Sequence, residues 1–291
     1  MEQPSKEPAL PLRTPQAKGS SPQVEEQPGA PAKPSVEKLT AEDYFNKGQE
    51  AKDWQEKIVF YNKAIELNPK YTEAYNYRGN AYFDKKYYEM ALSDYNNAIA
   101  LNHNYFKPYN NRGRYYLVVK NDYGRAIKDF DMAISLNPKD ARVYSNRGAV
   151  YFEQNNMETA LIDYNKAIEL DPSYAIVYFN RSKIYFRNKE YDMALQDCNK
   201  AIELDKNYVT AYVGRGILYF LKKEYGKALQ EYDKAIELDP NYAAAYHYRG
   251  EVYVIKKEYK HALRDYDKAL ELNPNNHDLS LKRENLYRKI Q

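Results

Sequence analysis

Arginines that precede a small residue recur along this sequence, and arginine is a side chain that binds anions. Five of them precede glycine and one precedes serine. The planar guanidinium can donate two parallel hydrogen bonds to a carboxylate or to a phosphate. These arginines could therefore bind an anionic ligand, or they could pair with acids of the chain itself. They are Arg78, Arg112, Arg147, Arg181, Arg215 and Arg249.

Other residue types that do chemistry are not spaced for catalysis or for metal binding. The four histidines fall at unrelated positions, and none forms a metal-ligand spacing with Cys198. A Gly-rich phosphate loop and the motifs G-x-S-x-G and H-E-x-x-H are absent from the sequence. We therefore expect no enzyme activity, no metal and no cofactor.

The charge and hydropathy of the chain restrict its partners and its location. The 44 basic and 41 acidic side chains give a net charge of +3, which provides no reason to expect nucleic acid as a partner. No stretch approaches the ~20 apolar residues of a membrane helix, so no direct membrane insertion is expected. The N-terminus lacks the apolar region of a signal peptide, and a single cysteine favours a reducing compartment. We expect a cytoplasmic protein; export would need a removed upstream segment or another route.

Residues 1–38 differ in composition from the rest of the chain. They are rich in Pro, Glu, Gln, Lys and Ser and contain no aromatic residue. Such a composition cannot offset the entropy that ordering costs. We predict a disordered Pro-rich tail, and we favour a tail or spacer over a short proline motif that binds a partner.

Residues 39–276 are built from seven similar units. Each unit carries two sets of small and aromatic residues, spaced along one face of a helix, and most units end with a proline that stops the second helix. A period of about 34 residues predicts a repeat architecture with two helices per unit. The units are 41–71, 72–105, 106–140, 141–174, 175–208, 209–242 and 243–276.

These landmarks resemble those of the tetratricopeptide repeat family over residues 41–276. The resemblance implies an all-α fold, a right-handed α-solenoid of seven helix-turn-helix repeats whose first helices line a concave groove. The first unit departs from the pattern, since it is three residues short and has Lys57 in place of alanine. The third unit has one extra residue, which we place in its inter-helix turn near Asn121. Residues 277–291 are predicted to form a charged capping helix over the last apolar face.

Glycine recurs at position eight of the units, counted from the first residue of each. A glycine inside a helix costs about 1 kcal/mol relative to alanine. We therefore expect a tyrosine or the backbone of the second helix to approach closely at this position. Ser182 is the exception. The glycines are Gly48, Gly79, Gly113, Gly148, Gly216 and Gly250.

The recurring arginines occupy position seven, which lies about 40° from the core position eleven and far from the expected groove. Position twenty-three, on the second helix, is acidic in the same six units, whereas the first unit has Lys47 and Phe60 at the two positions. We therefore predict structural ion pairs between helices and not ligand-binding arginines. The acids are Asp94, Asp129, Asp163, Asp197, Glu231 and Asp265.

The positions that would face the groove vary between units, and in the C-terminal units many of them are apolar. Contiguous exposed apolar surface usually marks an interaction site. The same side chains could alternatively pack between adjacent first helices. The predicted apolar peptide groove consists of Phe152, Phe179, Phe186, Val213, Ile217, Phe220, Leu221, His247, Val254 and Ile255.

Units two to four, with the start of unit five, are polar at these positions. Amide side chains can both donate hydrogen bonds to a bound backbone and accept them from it. The predicted polar or anion-binding groove consists of Asn76, Asn80, Lys107, Asn110, Asn111, Arg114, Arg142, Asn146 and Asn180.

Some tetratricopeptide repeat proteins hold the acidic C-terminal peptides of Hsp70 and Hsp90 chaperones with a five-residue carboxylate clamp. The resemblance places three clamp residues at Asn80, Asn111 and Arg142. Asn76 replaces the clamp's lysine and Asn146 replaces its final arginine, so two positive charges are missing.

We therefore predict a non-catalytic scaffold or adaptor that binds an extended peptide or helix of a partner protein in its concave groove. Two alternatives stay open. One is a chaperone cofactor that uses the degenerate clamp, and the other is a structural subunit of a multiprotein assembly that self-associates through its terminal repeats.

Overall fold

The computed structural model describes residues 38–290, which form fifteen α-helices and one short π-helical segment without any β-strand. The predicted disordered tail, apart from Lys38, lies outside the described residues. Fourteen helices form seven helix-turn-helix pairs in sequence order, and the last helix follows them. The all-α repeat solenoid that the sequence predicts is confirmed.

Each pair consists of a first and a second helix. The first helices are α1 (Ala41–Glu50), α3 (Thr72–Asp84), α5 (Phe106–Tyr115), α7 (Ala141–Glu153), α9 (Ala175–Arg187), α11 (Val209–Leu221) and α13 (Ala243–Ile255). The second helices are α2 (Trp54–Leu67), α4 (Tyr88–Leu101), α6 (Tyr123–Leu136), α8 (Met157–Leu170), α10 (Tyr191–Leu204), α12 (Tyr225–Leu238) and α14 (Tyr259–Leu272). The final helix, α15 (His277–Ile290), buries Leu279 and Leu286 in the same cluster as Tyr266 of α14.

The extra residue of the third unit lies within a helix and not in the connecting turn. Helix α5 continues directly into a π-helical segment, Tyr116–Lys120, whose wider turn accommodates one additional residue. Asn121 then adopts a left-handed conformation with φ 51°, as Asn155 does in the next unit with φ 60°. The turn itself therefore keeps the form it has elsewhere, and the expected location near Asn121 is wrong by one helical turn.

The contacts between units identify the concave side of the solenoid. First helices of successive units contact one another at α3–α5, α7–α9 and α11–α13, whereas successive second helices within residues 38–290 make no comparable contacts. A stack that touches along one set of helices and separates along the other curves toward the touching set. The first helices therefore line the concave surface, which we call the groove.

An aromatic ring from the second helix packs directly on the glycine of the first. A Cβ added to Gly148 would lie 2.8 Å from Cε1 of Tyr164, closer than carbon atoms can approach. Glycine at this position therefore lets the two helices of a unit pack closely. The pairs are Gly48–Tyr61, Gly79–Tyr95, Gly113–Phe130, Gly148–Tyr164, Gly216–Tyr232 and Gly250–Tyr266.

Each recurring arginine joins three helices. Arg147 donates from Nε and Nη2 to the two carboxylate oxygens of Asp163 at 2.9 and 2.8 Å, and from Nη1 to Asp131 at 2.7 Å. Asp163 belongs to the second helix of the same unit and Asp131 to that of the preceding unit. The hydrogen bond to Asp163 raises the pKa of Arg147 above its ordinary value. These arginines are occupied within the fold and turned away from the groove.

The same bridge recurs along the solenoid, and its second arm was not predicted from the sequence. The acceptor of the second arm is always an asparagine or an aspartate of the preceding unit. It lies two residues after position twenty-three of that unit, which is Phe60 in unit one and acidic in the others. The bridges are Arg78 to Asp94 and Asn62, Arg112 to Asp129 and Asn96, Arg181 to Asp197 and Asn165, Arg215 to Glu231 and Asn199, and Arg249 to Asp265 and Asp233.

Unit six departs from the two-pronged geometry because its acid is a glutamate. Arg215 donates from Nη2 to Glu231 at 2.7 Å, but its buried Nε has no hydrogen-bond partner. Replacing Glu231 with aspartate should restore the second hydrogen bond and raise the unfolding free energy by about 1 kcal/mol. The measurement is the thermal unfolding midpoint, followed by circular dichroism.

The matched control is Asp163→Glu, which should remove the second hydrogen bond of Arg147 and lower the midpoint. A Glu231→Asp variant that unfolds at or below the wild-type midpoint would contradict the claim that aspartate, unlike glutamate, accepts two hydrogen bonds from the arginine.

A second prediction concerns two glycines of the same unit. A Cβ on Gly216 would lie 2.5 Å from Cε1 of Tyr232, whereas a Cβ on Gly226 in α12 would meet nothing within 4 Å. We expect Gly216→Ala to destabilise the protein by ~1–3 kcal/mol through overpacking. Gly226→Ala should stabilise it by up to ~1 kcal/mol through helix propensity. Thermal unfolding of the two variants checks both signs, and equal effects would argue against the ring contact.

Candidate peptide-binding groove

The groove is built on one contact that repeats between neighbouring first helices. The residue at position six of one unit lies against the residue at position five of the preceding unit. Asn111 donates to Asn76 across α5 and α3, and Asn146 donates to Asn110 across α7 and α5, both at 2.9 Å. The types of these two residues therefore decide the chemistry of each section of the groove.

The polar section lies on α3, α5 and α7. Its asparagines form a chain of hydrogen bonds that includes a 3.5 Å contact from Asn110 to Asn111. Three members of this chain, Asn76, Asn110 and Asn111, line a pocket of about 100 Å³. Asn80, Lys107 and Arg142 also line it. Asn76 is only 1% exposed, so it supports this section from below, and its assignment to the groove surface is wrong.

The positive charges of the polar section are weaker than the sequence suggested. Arg142 donates to the carboxylate of Asp140, from Nε to Oδ1 at 2.9 Å, and from Nη2 to Oδ2. Burial raises the pKa of Asp140, but the hydrogen bonds and charge of Arg142 outweigh burial and lower it. Arg142 is therefore held by an acid of its own turn, which corrects its assignment to an open anion site.

Three further residues of the predicted polar groove have separate surroundings. Lys107 lies 3.3 Å from the hydroxyl of Tyr77, and exposed Arg114 lies over the ring of Phe83 at 5.3 Å. Neither cation has a carboxylate partner within residues 38–290. Asn180, on α9, is half-buried and lies outside the polar pocket.

The apolar section is a pocket of about 160 Å³ between α9, α10 and α11. Of the predicted apolar residues, Phe179, Phe186 and Ile217 line it. Phe186 is exposed, and the other two are half-buried. The lining is almost entirely apolar, so the pocket suits an apolar group.

The other residues predicted for the apolar groove do not join this pocket. Phe152 and Val213 are buried, at 7% and 4% exposure, because the next first helix covers them, so assigning them to the groove surface is wrong. Half-buried Phe220 packs edge-to-face on Tyr225. The continuous apolar surface that we expected is therefore interrupted by packing between units.

The remaining four predicted residues lie on α11 and α13. His247 stacks on Tyr248 with ring centroids 5.0 Å apart and lines a pocket beside α15, and Val254 lines another pocket there. Leu221 and Ile255 are exposed at the ends of α11 and α13. His247 and Val254 therefore lie beside the capping helix, whereas Leu221 and Ile255 are exposed apolar residues at helix ends.

Sequence reasoning missed the residues that complete the apolar pocket. Ser182, Cys198 and Gly214 line its floor, and Lys183 stands at its rim. A signal was present, since each of the first three departs from its repeat position: serine replaces glycine, cysteine replaces an aromatic residue, and glycine replaces asparagine or tyrosine. Lys183 occupies position nine, which faces the groove.

Cys198 is a packed core residue and not a reactive one. It is buried, and its Sγ lies 3.5 Å from the hydroxyl of Ser182. Burial raises the pKa of the thiol to about 11, which keeps it protonated near neutral pH. Within residues 38–290, no group of three or more His, Cys, Asp or Glu side chains is placed to hold a metal. None of the helices in this range has the length and apolar character needed to cross a bilayer.

Comparison with known structures shows the fold. The chain is similar to the APC/C hetero-tetramer Cut9–Hcn1 with a TM-score of 0.76 and 14% identity, over 84% of this chain and 48% of that one. It is similar to a tetratricopeptide repeat protein from Parabacteroides merdae with a TM-score of 0.64 and 19% identity, over 85% and 98%. It is also similar to pilF from Pseudomonas aeruginosa with a TM-score of 0.64 and 18% identity, over 74% and 97%.

The chain thus spans about half the length of Cut9–Hcn1. The search of curated protein sequences gave no match.

Two family profiles match most of the helical part of the chain. The profile described as tetratricopeptide repeat matches 141–174, 175–208 and 243–276. The profile described as TPR repeat matches 79–117, 117–155 and 216–254. Together they cover more than half of the sequence. The chain belongs to the tetratricopeptide repeat family.

Proposed function

We propose that this protein is a non-catalytic scaffold that binds an extended peptide segment of a partner protein along its groove. The family supports the general part, because tetratricopeptide repeat proteins are generally non-catalytic interaction scaffolds and no enzyme family matches the chain. The observation that carries the specific part is the asparagine network across α3, α5 and α7.

The network is suited to a peptide backbone because it offers both donors and acceptors. Asn80 accepts a hydrogen bond from Tyr95 at 3.0 Å, and Asn146 donates one to Asn110. Within the described residues, Nδ2 of Asn80 and Oδ1 of Asn146 have no protein partner. One free donor and one free acceptor are what an extended peptide group needs. The hydrogen bonds of Asn80 with Tyr95 and of Asn146 with Asn110 hold these amides in place before a ligand arrives, which lowers the entropy cost of binding.

The chaperone-cofactor alternative receives less support. A clamp for a C-terminal carboxylate needs positive charge, and Arg142 already pairs with Asp140. Lys107 and Arg114 remain, but they belong to different turns of α5 and contact Tyr77 and Phe83. This section of the groove therefore favours neutral peptide backbone over a terminal carboxylate.

The test is a selection of peptides from a random library displayed on phage, with the full chain as bait. Binding of the synthetic peptides is then measured by fluorescence anisotropy. The double variant Asn80→Ala with Asn146→Ala should weaken binding about tenfold, since each change removes one hydrogen bond. Thermal unfolding of the same variants shows whether the fold is intact.

The matched control is Asn97→Ala, because Asn97 is exposed on the second helix α4, away from the groove. It should bind like the wild type. The proposal is wrong if no peptide is enriched, or if the double variant binds with unchanged affinity. Tight binding of peptides with a free acidic C-terminus, lost on amidation and in Arg142→Ala, would instead support the chaperone alternative. Concentration-dependent sedimentation of the chain alone would support the assembly subunit.

A further inference from the structure

One repeat unit lacks the ring contact on which the others are built. In unit five, Ser182 stands where the glycine would be, and Cys198 stands where the aromatic ring would be. The thiol and the hydroxyl contact one another at 3.5 Å and leave the volume of a ring unfilled. The result is the apolar pocket of about 160 Å³.

A third small residue keeps the pocket open toward the next unit. Gly214 lies against Phe179, in the place where asparagines meet in the polar section. A Cβ added to Gly214 would lie 2.8 Å from Cε2 of Phe179 and 3.7 Å from Sγ of Cys198. Any larger residue at position 214 would therefore push the Phe179 ring and reshape the pocket.

We infer that this pocket binds one apolar side chain of a partner peptide, and that an acidic residue of that peptide stands beside it. The inference rests on the proposed function, since it names the side chains that the groove selects. It concerns α9 to α11 and not the asparagine network.

The floor of the pocket has nothing to offer a polar group. Its hydroxyl, on Ser182, already donates to the carbonyl oxygen of Phe179 at 2.7 Å. An unpaired polar side chain buried there would lose its hydrogen bonds to water. An apolar cavity of about 150 Å³ stays dry and accepts a molecule as large as benzene. Leucine, methionine and phenylalanine side chains match that size.

The rim of the pocket is positively charged. Lys183 lies over the rings of Phe152 and Phe179, with its ammonium 5.8 and 5.2 Å from their centroids, and Arg187 lies 4.0 Å from the Phe152 centroid. Neither cation has an ion-pair partner in the part of the chain that the structure describes. Glu153 acts on Lys183 electrostatically without forming an ion pair.

The environment of Lys183 favours a carboxylate as its partner. Two effects lower the pKa of Lys183, namely desolvation by burial and the charge of Arg187, while the charge of Glu153 raises it. A carboxylate placed between the two cations would offset both effects. Charge complementarity thus selects an acidic neighbour for the apolar side chain.

The test uses a defined panel of peptides, acetyl-Gly-Ser-Glu-X-Glu-Ser-Gly-amide, in which X is Leu, Met, Phe, Ala or Ser. Binding is followed by methyl NMR of Ile217 and Leu218 in the full chain. Peptides with Leu, Met or Phe should shift these signals, and the Ala and Ser peptides should not. Replacing both glutamates of the Leu peptide with lysine should abolish the shifts. Equal shifts for all X, shifts that survive the lysine replacement, or no shifts at all would overturn the inference.

A variant that fills the pocket provides the second arm. Ser182→Gly with Cys198→Phe installs the pair that unit three has in Gly113 and Phe130. It should weaken the Leu peptide about tenfold or more while leaving the thermal midpoint equal or higher. If this variant does not fold, the comparison of peptides on the wild type still decides. Unchanged affinity in a folded variant would contradict the inference.

The charge of the rim is tested separately. Lys183→Gln with Arg187→Gln should weaken the Leu peptide and reduce the salt dependence of its binding. The control is Lys206→Gln, an exposed lysine of the loop between α10 and α11, which should bind like the wild type. The selected peptides can also separate the two proposals. If their affinity falls in the Asn80 and Asn146 variant but is unchanged in the pocket and rim variants, the proposed function stands and this inference fails.

Discussion

The contact of an aromatic ring with a glycine sets the distance between the two helices of almost every unit. Each ring is almost completely buried, and a single methyl group on the glycine would collide with it. Because protein interiors are close-packed, this contact fixes how the two helices pack. It thereby also fixes which part of each first helix stays exposed in the groove. Where the contact is missing, at Ser182 and Cys198, the structure keeps a pocket.

The arginine bridges act on a longer scale, since they join successive units. Each guanidinium except that of Arg215 holds the carboxylate of its own unit with two hydrogen bonds, and each reaches the preceding second helix with Nη1. A buried carboxylate such as Asp163, with 3% exposure, requires such a partner to be tolerated in the core. The bridges also extend to the end of the solenoid, where Arg283 of α15 donates to Asp267 of α14 at 2.8 Å. Geometry between units is thus controlled on the convex side, which leaves the concave side free to vary.

The groove uses this freedom in two different ways. Where positions five and six carry asparagine, neighbouring first helices are joined by amides that retain hydrogen-bonding capacity. Where they carry Phe179 and Gly214, the same contact becomes a ring on a glycine, and the polar network gives way to an apolar pocket. A single ligand that follows the groove would therefore form backbone hydrogen bonds in the polar section and bury one side chain in the apolar section.

The sequence by itself determined the repeat, the helix pairs and the partners of the arginines within each unit. These features are local, or they recur so often that co-occurrence reveals them, as with Arg147 and Asp163. Angular reasoning on one helix failed where a neighbouring unit decides the outcome.

Phe152 and Val213 face the groove by angle but are covered by the next first helix, and Arg142 is neutralised by an acid that the same reasoning left out. Only the tertiary structure showed the second arm of each arginine bridge, the π-helical turn before Asn121, and the space beside Cys198. The physical reason is that burial, free charge and empty volume depend on side chains from three helices at once, whereas a sequence pattern reports the face of one.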